Sequence, residues 1–291
     1  MRIVVTSNCM TGGLTAGLKI LLPKAQIIPI PRAGVDLDVL NHNLSTSNVW
    51  VLSHQELTSN VEVKKPDDLK VILFPELAFR AFHPDQVYAS LPDGTLIQTP
   101  TGPYNSAIAL WAWQHNLNVS QTIDLFTPSV FDALEYHNSW HVPFEHLRSL
   151  FKQFPLLDFQ SFILPLVRSG AFMHTVNHPK VSAIAQMARL LANQIDPSAD
   201  YFNIPIEHMM VDTLFMANYS WSVYPSVANS LGIDGAFMWK LLDHSVIGLE
   251  EFISRSFEMY DAQQPVIIDC PQLARPIYDD VLLPLIQVKA L

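Results

Sequence analysis

The side chains best placed to act on a substrate are one cysteine, one histidine and one aspartate. Cys9 lies in Thr6-Ser7-Asn8-Cys9-Met10, directly after a β-branched run, Ile3 to Thr6, that reads as a buried strand. Gly12 and Gly13 then open a segment in which Leu14, Leu18 and Leu21 follow helical spacing. The thiol therefore falls on the turn between a first strand and a first helix. In an open parallel sheet, ligands bind at the carboxyl ends of the strands. The positive end of a helix there favours the thiolate, which predicts a lowered pKa for Cys9. A free cysteine is more often a small buried hydrophobe, so position and the polar neighbours Ser7 and Asn8 carry the reading rather than residue type.

His83 belongs to Phe82-His83-Pro84-Asp85, which follows Phe74-Pro75-Glu76 at the end of a later strand-like run. That register predicts His83 on the same rim as Cys9, where an imidazole could take the thiol proton. Asp85 either orients that imidazole or merely begins a turn or helix. A second polar stretch, Phe172 to Lys180, holds His174, Asn177, His178 and Lys180. His174 and His178 have the i, i+4 spacing of a helical metal pair. Pro179, however, moves His178 off helical geometry and no glutamate follows His174, so no metal is expected. The better reading is a helix starting after Pro179, with Asn177 or His178 near its cap and a loop able to hold an anionic group. Around Tyr224-Pro225, Gly232 and Gly235 the glycines read as turn residues, because no phosphate-loop pattern accompanies them.

The elements that would position these residues are legible as strand-like runs at Ile3–Thr6, Gln26–Ile30, Val49–Leu52 and Val71–Phe74, with helical or irregular segments between them. That alternation predicts a parallel α/β sheet. Helical spacing then covers Asn105–Gln114, with Asn105 or Ser106 as N-cap, and Ser120–Phe126, Phe144–Phe154, Val181–Asn193 and Leu249–Tyr260. Val266–Asp269 reads as one more strand, ending at Cys270. The expected organisation is an α/β core over residues 1–100 carrying the cysteine turn. A mainly helical portion over 101–291 packs on it as one continuous domain.

Composition narrows the function. Of 291 residues, 49% are hydrophobic, enough for one large or two small cores. Only 15% are charged, below the roughly 25% of ordinary soluble domains, and 21 prolines and 6 tryptophans suggest a partly apolar surface suited to a homo-oligomer or a membrane-surface contact. A net charge of −10 and the lack of a basic patch argue against nucleic acid. Cys9 and Cys270 cannot form a disulfide framework. The first residues enter a strand with no signal-peptide pattern, and no 18-residue apolar run occurs, so the expectation is a cytoplasmic globular protein.

In ordered combination, the motifs resemble a known family, the bacterial polysaccharide-biosynthesis acetyltransferases of capsule gene clusters (WcbI-like). The resemblance rests on Ser7-Asn8-Cys9 after the first strand, Phe82-His83-Pro84-Asp85, the helix beginning Asn105-Ser106, the Phe172–Pro179 stretch and the block from Tyr224-Pro225 to Gly235. It implies an α/β fold related to the SGNH-like esterases, which carry their nucleophile after the first strand. It also implies acetyl transfer from acetyl-CoA to a sugar hydroxyl, with Cys9 and His83 in the active site, to which the residue reading adds Asp85 as a catalytic candidate orienting the imidazole. Coenzyme A contacts would come from Ser7, Asn8, Asn105, Ser106, His174, Asn177, His178 and Lys180, with Lys19, Arg80 and Arg168 as further phosphate candidates. The family often has Gly-Asn-Cys-Gln where this chain has Ser7-Asn8-Cys9-Met10, so a polar group after the cysteine is missing. An esterase or thioesterase using the same Cys–His pair, and a non-catalytic binder of CoA or glycan, are the alternatives.

Overall fold

The computed structural model describes residues 1–53, 56–263 and 268–288. Four short strands, β1 (Arg2–Thr6), β2 (Gln26–Pro29), β3 (Val49–Leu52) and β4 (Lys70–Leu73), form one sheet in the order β2-β1-β3-β4. Every pairing in it is parallel. The expected strands and their parallel sense are thus observed, each within one residue of the predicted bounds. Their near-continuous Val/Ile/Leu content suits strands covered on both faces. The chain moves from β1 to β2 on one side, then returns past β1 to β3 and β4 on the other. The strand order therefore reverses at β1, and the crevice beyond the carboxyl ends of β1 and β3 is where such a sheet takes ligands.

The chain's contacts divide into two compact units. The first comprises Met1–Ala78, Glu145–Met173 and Asn177–Met216, and the second Phe79–Phe144, His174–Val176 and Ala217–Leu291. In the first unit, helix α2 (Leu37–Leu44) lays Leu40 and Leu44 on Val4, Trp50 and Leu52. Asp36 caps it by accepting from the N–H groups of Asp38 and Val39. Alternation along the strands turns Ile3, Val5, Val49 and Val51 to the opposite face. Helix α1 (Thr11–Leu21) follows β1 and also packs against the helix Val181–Ile195. Gly13 and Gly17 make that close approach possible. A Cβ at Gly13 would lie 3.0 Å from Ile184, and one at Gly17 would lie 2.8 Å from the Cβ of Ala188.

The second unit holds the helices Ala107–Gln114, Leu249–Asp261 and Ile277–Val288. A small antiparallel sheet runs Val246–Gly248, Met238–Lys240, Ser220–Trp221. Trp239 stacks on Phe252 at 4.3 Å between ring centres, fixing the sheet to the Leu249–Asp261 helix. Ser106 caps the Ala107–Gln114 helix, accepting from the N–H of Ala109, one of the two caps expected. Of the expected strand Val266–Asp269, Val266 and Ile267 lie outside the described residues. Asp269 forms an isolated antiparallel bridge with Ser90.

Since the contact at Gly17 is with a Cβ that cannot swing away, Gly17→Val is expected to destabilise the fold by about 1–3 kcal/mol, the usual cost of overpacking. A lowered denaturation midpoint at unchanged slope is the measurement.

Candidate active site

The turn after β1 is tied down by one side chain. Thr11 Oγ1 accepts from the Ser7 N–H at 3.1 Å and donates to the Ser7 carbonyl at 2.8 Å, and it lies 2.9 Å from the Asn8 carbonyl. Helix α1 thus begins at Thr11, and its N-cap, Met10, offers no side-chain bond to the first turn. The amides of Gly12 and Gly13 therefore have no capping side chain, and a Cβ at Gly12 would meet nothing within 4 Å. Asn8 Oδ1 accepts from the Met10 N–H at 3.0 Å, so what the Asn8 amide has to offer a ligand is its Nδ2 donor. Met10 is fully buried. The position after the cysteine is a core position here, which accounts for an apolar residue in place of glutamine. Cys9 itself is exposed at the tip of the turn.

From that turn a line of hydroxyls runs along the carboxyl edge of the sheet. Ser7 Oγ donates to Ser53 Oγ at 3.1 Å, with Asn8 Oδ1 a longer partner at 3.3 Å, and Ser53 Oγ donates to Glu76 Oε1 at 3.0 Å. Ser7, Ser53 and Glu76 follow β1, β3 and β4 in turn, so the sheet order brings them together. Ser53 and a role for Glu76 were missed in the sequence, where the only signal was that each lies just past a strand end.

The expected lowering of the Cys9 thiol is overturned. Partial burial and the Glu76 carboxylate push it above its ordinary value, against a backbone N–H bond that pulls it down. A helix end at an exposed site is worth about 0.3–1 kcal/mol. A nearby carboxylate and desolvation together exceed that.

His83 and Asp85 lie in the second unit, both buried. A tight turn holds His83, whose N–H donates to the Arg80 carbonyl at 2.9 Å. The Asp85 carboxylate receives four donors. Oδ1 accepts from the Ile108 N–H at 3.0 Å and the Tyr136 hydroxyl at 2.9 Å. Oδ2 accepts from the Ser106 hydroxyl at 2.5 Å and the Tyr224 hydroxyl at 2.7 Å. Because Tyr136 gives its proton to Asp85, Tyr278 is the donor in the 3.1 Å bond between the two phenols. Burial pushes Asp85 upward while these four bonds pull it back. Burial, with the Asp85 charge second, pushes Tyr136 and Tyr224 well above their ordinary value and Tyr278 up to about 12. Asn105 is buried as well, its Oδ1 accepting from Tyr260 and its Nδ2 donating to the Pro103 carbonyl.

The remaining candidates divide between the units. His174 belongs to the second, with Nδ1 3.4 Å from Ser220 Oγ. Asn177, His178 and Lys180 belong to the first. His174 and His178 sit in short strands, Met173–Thr175 and His178–Pro179, and the helix begins after Pro179, at Val181, with Lys180 as its N-cap residue and His178 two residues before it. That helix start already carries an anion. Asp212 Oδ2 accepts from the Val181 N–H at 3.1 Å and its Oδ1 accepts from the Phe215 N–H at 2.9 Å. Burial lowers the Lys180 ammonium, with Asp212 opposing. Among the described residues no cluster of three or more metal-ligating side chains occurs, and no helix is long and apolar enough to cross a membrane.

A parallel sheet that reverses its order at β1, with a cysteine on the turn beyond it, defines an α/β protein with its candidate site at the sheet's switch point. The family model for the polysaccharide biosynthesis enzyme WcbI matches residues 2–200, so the chain belongs to that family. No curated protein matches it. A solved structure of WcbI, described as a novel polysaccharide biosynthesis enzyme in its native form without a disulfide bond between CoA and one of its cysteines, shares the fold. The TM-score is 0.65 at 10% identity, covering 90% of each chain.

Two outcomes test the site's electrostatics. Alkylation of Cys9 by iodoacetamide should titrate with a midpoint above that of a free cysteine, and Glu76→Gln, by removing a negative charge, should move the midpoint down. A midpoint unmoved by that substitution would dissociate Glu76 from the thiol. Asp85→Ala strands four buried donors, each costing about 1–3 kcal/mol, and should lower the thermal midpoint more than any single phenol-to-Phe change at Tyr136 or Tyr224.

Proposed function

We propose that the protein transfers an acetyl group from acetyl-CoA to a sugar hydroxyl, with Cys9 and His83 in the active site. The single observation that carries the reading is the exposed cysteine on a rigid turn at the switch point of the sheet. Membership of a polysaccharide biosynthesis family supports a sugar acceptor, and the description of the WcbI structure, which pairs CoA with a cysteine, supports the donor. The reading also keeps the relation to the esterase-type fold, supported by the nucleophile's place after β1, and a cytoplasmic site of action.

In the covalent route Cys9 sulfur attacks the thioester carbonyl and its proton passes to His83. The carbon–sulfur bond to CoA breaks, and CoA leaves as a thiol with that proton. The acceptor hydroxyl then attacks the Cys9 thioester and gives its proton to His83, which returns it to the departing Cys9 sulfur. Asn8 Nδ2 and the uncapped amides of Gly12 and Gly13 serve the tetrahedral oxyanion, a term worth about 3–4 kcal/mol per donor. Because the resting thiol is raised, its proton must leave as the sulfur attacks. The same raised thiol favours a second route, in which His83 deprotonates the sugar directly and Cys9 only shapes the thiol pocket. Ser7, Asn8, His174, Asn177, His178 and Lys180 line the donor in this reading. Within the second unit, Asn105, Ser106 and Asp85 are committed to buried hydrogen bonds.

CoA at 100 times its Kd should raise stability by about 2.7 kcal/mol in a thermal-shift measurement. No shift at millimolar CoA removes the transferase. If the covalent route holds, incubation with acetyl-CoA alone leaves a protein heavier by one acetyl group, and Cys9→Ser nearly abolishes turnover. If His83 is the direct base, His83→Ala loses about 10²–10⁴-fold while Cys9→Ser keeps much of its rate.

A further inference from the structure

The second unit contains a cavity of about 520 Å³, bordered by Arg80, a phosphate candidate in the sequence, and by none of the residues named above as lining the acyl donor. That volume lies in the range of about 300–1,000 Å³ usual for small-molecule sites. Two guanidinium groups, Arg80 and Arg275, border it, together with Asn138, Gln272, Glu135 and the phenol-bearing residue Tyr136. Among the described residues neither arginine is ion-paired with a carboxylate, in a chain whose net charge is −10. Arg80 is steadied by donating to the Gln86 carbonyl at 2.8 Å, and Arg275 is exposed. The fields of the two reach neighbouring groups. Burial pushes the Cys270 thiol and the Tyr278 phenol up, and Arg80 and Arg275 respectively oppose it.

The wall is stiff. Tyr136 is locked by its bonds to Asp85 and Tyr278, and Ser139 donates to the Ala81 carbonyl at 2.8 Å. Glu135, just before, holds a left-handed backbone at φ 63°, a conformation a non-glycine residue keeps only where its surroundings impose it. Arg80, which begins the turn that ends at His83, and Pro84, which follows that turn, both line the cavity.

We infer that this cavity binds the acceptor as an acidic sugar, its carboxylate or phosphate held between Arg80 and Arg275 and its hydroxyls met by Asn138 and Gln272. Guanidinium forks match the planar or tetrahedral oxygens of both groups, and amide side chains suit sugar hydroxyls. The inference rests on the transferase reading for the role of the sugar, but not for the binding itself.

Calorimetric titration of the full chain with glucose 1-phosphate, glucuronate, glucose and inorganic phosphate tests it, with CoA binding measured in parallel. At least one of the two acidic sugars should bind about tenfold or more tighter than glucose and tighter than phosphate alone, with the better of the two naming the anionic group. Arg275→Gln should weaken it about tenfold or more, the share of one charge-assisted pair, while Arg275→Lys loses less. CoA affinity should not change in Arg275→Gln. Glucose binding as well as the acids, phosphate binding as well as the sugars, or an unaltered affinity in Arg275→Gln overturns the proposal. So does a loss of CoA binding in that variant, which would hand the cavity to the donor's phosphates. Absence of CoA binding to the wild type, with sugar binding intact, defeats the transferase alone.

Discussion

A buried parallel strand must leave its sheet with every backbone group accounted for, and the exit from β1 meets that demand on both sides at once. The Thr6 carbonyl accepts from the Ser53 N–H after β3, and the Ser7 carbonyl accepts from the Arg32 N–H after β2. Thr11 Oγ1 then serves Ser7 twice, as acceptor and as donor. The carbonyls of Thr6 and Ser7 and the Ser7 N–H are thus all partnered, while the amides of Gly12 and Gly13 at the start of α1 stay uncapped. Cys9 is exposed because Met10 beside it goes into the core and Thr11 starts the helix. The Gly13 and Gly17 contacts extend the constraint, since α1 is held against its neighbouring helix by close backbone approach rather than by adaptable side chains.

The electrostatics of that turn are a contest between a helix end and a carboxylate. The uncapped start of α1 favours a thiolate, whereas Glu76 and partial burial disfavour it, and the second pair prevails. A thiol kept protonated at rest is a poor target for adventitious oxidation, because susceptibility follows thiolate character. It also makes the approach of substrate, which displaces water and brings its own donors and charges, the event that decides when the sulfur becomes a nucleophile. The hydroxyls of Ser7 and Ser53 link the Glu76 carboxylate back to the turn, so a change at either end is felt along the sheet edge.

Within the second unit Asp85 plays the organising part. Its carboxylate fastens the start of the Ala107–Gln114 helix through Ser106 and Ile108, and it gathers Tyr136 and Tyr224 from distant parts of the chain. A buried anion with four donors is tolerated because each lone pair is used. The sequence Phe82-His83-Pro84-Asp85 offered no sign of this, since all four partners lie at least 21 residues further along the chain.

Periodicity made the frame legible, and its limits explain what stayed hidden. Uninterrupted β-branched runs located β1 to β4, and Ser106 announced its helix, because those signals are carried by residues adjacent in sequence. Cys9 on its turn was legible for the same reason. Strand order is a different kind of information. That Ser53 and Glu76 meet Ser7 depends on β3 and β4 lying beyond β1, on the side away from β2, which no local pattern states. The thiol's raised pKa follows from that order, as Glu76 reaches Cys9 only through it. Asp212 on the Val181 helix and the presence of Arg80 and Arg275 at one cavity are likewise set by how separate segments fold back. What the residues of this chain can do chemically is therefore written locally, whereas the charge each one feels is written in the topology.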